Sequence, residues 1–138
     1  MSTQDRTNFA SYDCAIVTLD SYLLDNKIDH VDFVKADIEG GELMFLLGSS
    51  RLFEQVRPPI FLMEMALDTT KHFGYLPNDL LVFLSSKADY LFYSVDETRG
   101  RVRRITAFEP QEKGANVFCL PRSASEEKHK AIRKYLDV

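Results

Sequence analysis

The sequence predicts an α/β domain with a mainly parallel sheet, helices on the sheet faces and an antiparallel hairpin near its C-terminal end. Three observations carry this. Short β-branched runs alternate with longer segments of helical period. The run "IFLMEM" (60–65) is nearly all apolar, which suits a strand buried on both faces. Two further strand-like runs flank a turn at Gly100, the pattern of a hairpin.

The elements follow in order. Residues 1–13 are polar and expected to be loose. "CAIVTL" (14–19) reads as a short strand, and Asp20 is placed to cap a short helix over 20–27. "HVDFVKADI" (30–38) has the length and β-branched content of a strand. In 41–56, Leu43, Leu46, Leu47, Leu52 and Val56 recur at helical spacing, while Gly48 and two serines predict a break midway. "RPP" stops that helix, because proline disfavours the helical region in the residue before it. After strand 60–65, Pro77 with Asn78 and Asp79 opens a helix over 77–89 with an apolar face at Leu80, Leu81, Phe83 and Leu84. "YLFYSVD" (90–96) and "VRRITAF" (102–108) form the hairpin, "NVFCLP" (116–121) is a final strand, and 123–138 ends in an amphipathic helix.

The chain has 138 residues, enough for one domain with a real core but not for two. Its net charge of −4 argues against a dedicated nucleic-acid binder, which would be basic. No apolar stretch reaches the length of a membrane span, and the polar start lacks the layout of a signal peptide, so a cytoplasmic protein is expected. Cys14 and Cys119 lie far apart, each in an apolar run and outside any CxxC or Cys/His cluster. They are read as two buried free thiols, and no zinc site is expected.

Asp37 and Glu39 lie at the carboxyl end of strand 30–38, and Glu64 takes the corresponding place on strand 60–65. Ligands of open α/β sheets bind beyond the carboxyl ends of the strands, so three carboxylates from adjacent strands can converge on one crevice. Such a group can act as general base, as metal ligand, or as hydrogen-bond acceptor for a polar substrate. Asp37 or Glu39 can equally cap the helix that follows, and Glu42 reads best as a partner of its N-terminal dipole. Glu64 sits between apolar neighbours and needs a partner or water, since an unpaired buried carboxylate costs several kcal/mol. Gly40 and Gly41 allow close backbone approach of a substrate, and His72 lies in the loop on the same side. Arg99, Arg101, Arg103 and Arg104 share one hairpin and are read mainly as solvated surface, with phosphate binding as the alternative. His30 and His129 are also read as surface residues.

Taken together, "VTLDSYL", "VDFVKADIEGGELMFLLGSSRLFEQVRPPIFLME" and "NVFCLPR" resemble the C-terminal half of FkbM-type methyltransferases, over residues 15 to 122. In that family a Thr-Leu-Asp segment precedes a strand ending in Asp-(Val/Ile)-Glu-Gly-x-Glu, then a helix with a glycine midway, Arg-Pro, and a strand ending in glutamate. Here Thr18, Leu19 and Asp20 are followed by Asp37, Ile38, Glu39, Gly40 and Glu42, with Gly48, Arg57, Pro58 and Glu64 in register.

The resemblance implies a class I (Rossmann-like), S-adenosylmethionine-dependent enzyme that transfers methyl to the hydroxyl of a small molecule. Asp37 and Glu39 would orient that hydroxyl or take its proton, with Glu64 in the same pocket and Asp37 also facing the cofactor. The family's N-terminal half supplies a glycine-rich turn for the cofactor's methionine part and an acidic residue for its ribose, and neither is found here. The chain is therefore expected to be a truncated, acceptor-side half, inactive alone. It would carry an exposed apolar edge at strand 30–38 that pairs with a second copy or with a chain supplying the N-terminal half. The alternatives are a non-catalytic protein-interaction module derived from a methyltransferase, and a metal-assisted enzyme built on Asp37, Glu39 and Glu64.

Overall fold

Five strands form one mixed sheet in the order β1-β2-β5-β3-β4. They are β1 (Phe33–Ala36), β2 (Ile60–Ala66), β3 (Tyr90–Asp96), β4 (Arg101–Ile105) and β5 (Gly114–Pro121). The helices are α1 (Leu19–Asp25), α2 (Glu42–Leu47), α3 (Ser50–Glu54), α4 (Leu67–Thr70), α5 (Pro77–Lys87) and α6 (Glu126–Arg133). A 3-10 turn, Lys71–Phe73, extends α4. This is a computed structural model, and it describes residues 11–136.

The expectation of a mainly parallel sheet is corrected. Only β1 and β2 pair in parallel, and the β2–β5, β5–β3 and β3–β4 pairs are all antiparallel. The cause is the place of β5. It comes last in the chain yet slots between β2 and β3, both of which run opposite to it. Hence β1, β2 and β3 do point the same way, and a reversed strand separates β3 from β2. Strand periodicity carries no mark of which neighbour a strand will take. Of the late antiparallel elements, β4 sits at the sheet edge and β5 in its interior.

A second correction concerns residues 14–19. Cys14 to Thr18 have no regular structure and are exposed, Ile16 almost wholly. Thr18 instead caps α1, its Oγ1 accepting the Ser21 N–H at 3.1 Å. With no strand beside it, a β-branched run has nothing to pair with, and the helix start takes the residue. Cys14 is accordingly exposed rather than buried, while Cys119 is buried, and both are free. The expectation of a loose segment at 1–13 falls mostly outside the described residues. Within the terminal segment, α6 ends at Arg133, and Leu136 then bridges to Val102 on β4.

The main core lies on one sheet face, beneath α2, α3 and α5. On β2, Phe61, Met63 and Met65 point into it and are fully buried, alternating with half-buried residues on the other face. Phe53, Phe61, Tyr90 and Phe92 form a chain of ring contacts with centroids 5.9 to 6.4 Å apart. The second face carries a smaller cluster of Tyr93, Val102 and Leu120, covered by Ile132 of α6 and by Leu136.

Candidate active site

The break predicted inside 41–56 occurs at Gly48 and Ser49, where α2 gives way to α3. This short, jointed helix pair packs below the loop 37–41 that leaves β1. Ala36 is in register with Met63, so the next residue, Asp37, comes level with Glu64 on the adjacent strand. Asp37, Glu39 and Glu64 each bring one carboxylate oxygen to within 4.8 Å of the other two. The convergence expected from strand ends is thus realised. Their oxygens lie close enough together to serve a hard divalent cation or a hydroxyl donor.

Several contacts hold the loop. Glu39 has φ 55°, the left-handed region that side-chain-bearing residues avoid at a cost of about 1 kcal/mol or more. Gly40 follows at φ 101°, and a Cβ there would lie 2.7 Å from both the Thr69 carbonyl and the Phe73 ring. The space beside Gly40 is therefore filled by the protein's own 66–73 segment. Gly41 has ordinary backbone angles and lies against Ile38.

Glu42 is wholly buried. It does sit in the first turn of α2, and it also does more than meet a dipole. One oxygen accepts the Ile38 N–H at 2.9 Å, and the other lies 3.3 Å from the Tyr75 hydroxyl. That hydroxyl donates to the Gly40 carbonyl at 2.8 Å and accepts the Leu43 N–H at 3.4 Å. Burial, and after it the Glu42 charge, pushes the Tyr75 hydroxyl up to about 12, so it remains a neutral donor. Nothing near position 42 signals this network, because Tyr75 is 33 residues away.

Electrostatically the three front carboxylates are unequal. Asp37 pairs with Lys35 at 2.9 Å and is nearly half exposed. Glu64 is half-buried, and its Oε2 is shut from solvent with no hydrogen-bond partner among the described residues. Burial raises its pKa most, followed by the charges of Asp37, Glu39 and Glu42, with Lys35 opposing. A carboxylate in this state is a better proton acceptor than an ordinary surface one.

Glu64 also lines an open cavity of about 770 Å³ at the C-terminal ends of β2 and β3 and the start of β5. Asp68, Asp96, Glu97, Arg103 and Asn116 are among its polar walls. Asn116 is the cross-strand partner of Glu64 and donates to Glu97 at 2.6 Å. Gly114 forms part of the wall, with φ 101° and the Met65 carbonyl 1.9 Å from where a Cβ would be. None of the β5 wall residues stood out in the sequence, since only the pairing with β2 brings them here. His72 lies on the exposed 3-10 turn near Asp68, and makes no hydrogen bond to Asp37, Glu39 or Glu64.

A family model described as a methyltransferase FkbM domain matches residues 6–92, more than half of the chain. The chain belongs to this family. The FkbM match runs through β1, α2, α3 and β2 into β3, so it includes all three converging carboxylates. It stops before β4 and β5, so much of the cavity wall lies beyond it. No curated protein and no solved structure gives a significant match. Among the described residues, no helix is long and apolar enough to cross a membrane.

Proposed function

We propose that this FkbM-family chain forms the acceptor side of an S-adenosylmethionine-dependent O-methyltransferase of class I fold. The observation that carries the reading is Glu64. It is an unpartnered, proton-attracting carboxylate flanked by Asp37 and Glu39 at the mouth of a polar cavity large enough for a small alcohol. An alcohol in that cavity donates its O–H to this group. The cofactor would supply an electrophilic methyl group. The Glu64 carboxylate would accept the proton that the alcohol gives up when its oxygen is methylated, the donor's methyl–sulfur bond breaking to leave a neutral thioether. Asp37 and Glu39 orient the alcohol, and the Glu42–Tyr75 network keeps their loop in its strained form.

The described residues do not by themselves fit the cofactor. Glycines stand only at 40, 41, 48, 74, 100 and 114, with no Gly-x-Gly turn after a strand. The space beside Gly40 is already filled. We therefore assign the cofactor cradle to the seam formed with a second copy or to a separate chain, docked along the edge of β1 that is unpaired among the described residues. The chain alone is then inactive. The edge of β1, unpaired among the described residues and beside a half-exposed Phe33, equally supports a second reading, a non-catalytic protein-interaction module derived from a methyltransferase.

Isothermal titration of the concentrated chain with S-adenosylhomocysteine tests whether copies of this chain together make the cradle. Dissociation constants of about 10–100 µM, weakened in Asp37→Asn with its circular dichroism unchanged, are expected of the enzyme. Absence of heat at about 1 mM would sink the enzymatic reading for this chain on its own and favour the interaction module.

A further inference from the structure

At the opposite end of the sheet from the carboxylates, α6 lies on the second face, with Ile132 packed against the cluster of Tyr93, Val102 and Leu120. Glu126, His129 and Arg133 are three and four residues apart and share one stripe of α6. On the sheet below, Tyr93 of β3 and Arg104 of β4 are cross-strand partners, and Arg122 follows the end of β5. All six line one cavity of about 460 Å³. Three arginines and a histidine thus line it beside Glu126, with Asp89 paired to Arg122, in a chain whose net charge is −4.

Two of the arginines are tethered without being used up. Arg122 Nε donates to Asp89 at 2.8 Å, and Arg133 pairs with Glu126 through one terminal nitrogen. A guanidinium has five donors, so each pairing leaves others to turn toward the cavity. Arg104 has no acidic partner among the described residues. With Arg122 it also walls a neighbouring hollow of about 180 Å³ that contains Ser85 and Thr106. His129 Nε2 lies 3.3 Å from the Arg122 carbonyl, which holds the ring at the wall. Isolated surface arginines point apart into water. Here three arginines line one concavity while only Arg122 and Arg133 have a carboxylate partner, which leaves the Arg104 charge and the spare guanidinium donors to meet an anion.

We propose that this cavity binds a phosphate group, as inorganic phosphate or as a phosphomonoester. Planar guanidinium forks match the tetrahedral oxygens of phosphate in paired hydrogen bonds, and a dianion satisfies several forks at once. Leu91 and the buried Tyr93 give the organic part of an ester an apolar floor. The site lies away from Glu64, so its occupancy is independent of the proposed methyl transfer.

Isothermal titration of the full chain with sodium phosphate and with phenyl phosphate, at ionic strength matched with chloride, tests this. Saturable binding is expected, weakened about tenfold by Arg104→Gln and unchanged by Asp37→Asn. Arg104 is exposed, so its replacement leaves the fold intact. Tighter binding of phenyl phosphate than of inorganic phosphate identifies an ester as the ligand, and equal binding identifies free phosphate. Heat that follows ionic strength alone, or binding unchanged in both Arg104→Gln and Arg133→Gln, would overturn the proposal.

Discussion

At the scale of single residues, Glu64 and Glu42 are opposite cases of a carboxylate near a core. Glu42 is deeper yet satisfied, with Ile38 N–H on one oxygen and the Tyr75 hydroxyl near the other. Glu64 is less buried yet has an orphaned oxygen and two acidic neighbours. Its pKa is raised above the ordinary 4.5, so between that value and the folded-state value the native protein holds a proton that the unfolded chain has released. The sign follows: Glu64 takes stability away as pH rises through this window, and none below it. Glu64→Gln is therefore expected to raise the melting temperature at pH 7, with the gain vanishing near pH 4. Melts of both proteins across that range check it, and a variant less stable at every pH would show that the carboxylate has a partner after all. The sequence singles out Asp37, Glu39 and Glu64 because each charge interrupts or ends an apolar run. It hides the role of Glu42, because a partner 33 positions downstream leaves no local pattern.

At the scale of elements, periodicity marks the helices well, and capping chemistry marks them less well. The α5 start is read correctly because its signals are local: Pro77 is its first residue, and Asp79 accepts the Leu76 N–H at 2.7 Å. Asp20 is misread for the opposite reason. It lies one residue inside α1 and caps α3 instead, its two oxygens accepting the Ser50 and Arg51 N–H groups at 2.9 Å each. Ser49, the residue before α3, makes no capping bond of its own to that helix. The break at Gly48 thus creates a second helix start, and a side chain some 30 positions upstream in sequence satisfies it. Gly48 also lets Thr18 approach, since a Cβ there would sit 3.2 Å from that of Thr18. Asp20→Ala is expected to cost about 1–2 kcal/mol, because it strips both N–H groups of their acceptor. Chemical denaturation measures that loss, and a cost within error of zero would mean that water replaces the cap. The α4 segment and its 3-10 extension leave no signal in the sequence. "LDTTKHF" has no apolar stripe and no cap, and forms where the chain turns back over the loop at Gly40.

At the scale of the whole molecule, the sheet has two unlike edges. β4 closes one side, with Arg103 paired to Glu112 and Val102 bonded to the C-terminal segment through its N–H and the Tyr135 carbonyl at 2.8 Å. β1 ends the other side with nothing paired to its outer backbone among the described residues. Phe33 on that strand is 50% exposed and Ile38 just beyond it 47%. Phe33 also rims an apolar groove of about 180 Å³ shared with Ile60, Phe118 and Ile132, where α6 stops short of covering the sheet. A free strand edge next to bare aromatic surface is what folded proteins normally cover or charge. The only cation on β1 is Lys35, and Asp37 pairs with it. A second copy docked on this edge would also lie beside Asp37 and Glu39, where the chain leaves β1 for the candidate site. Light scattering behind a sizing column is therefore expected to show mass rising with concentration above that of the 15.9 kDa chain. Phe33→Lys puts a charge into the edge without touching the carboxylates, and should return the protein to a monomer with its circular dichroism unchanged. A wild-type chain that stays monomeric at high micromolar concentration would rule out the second copy as the cover of this edge.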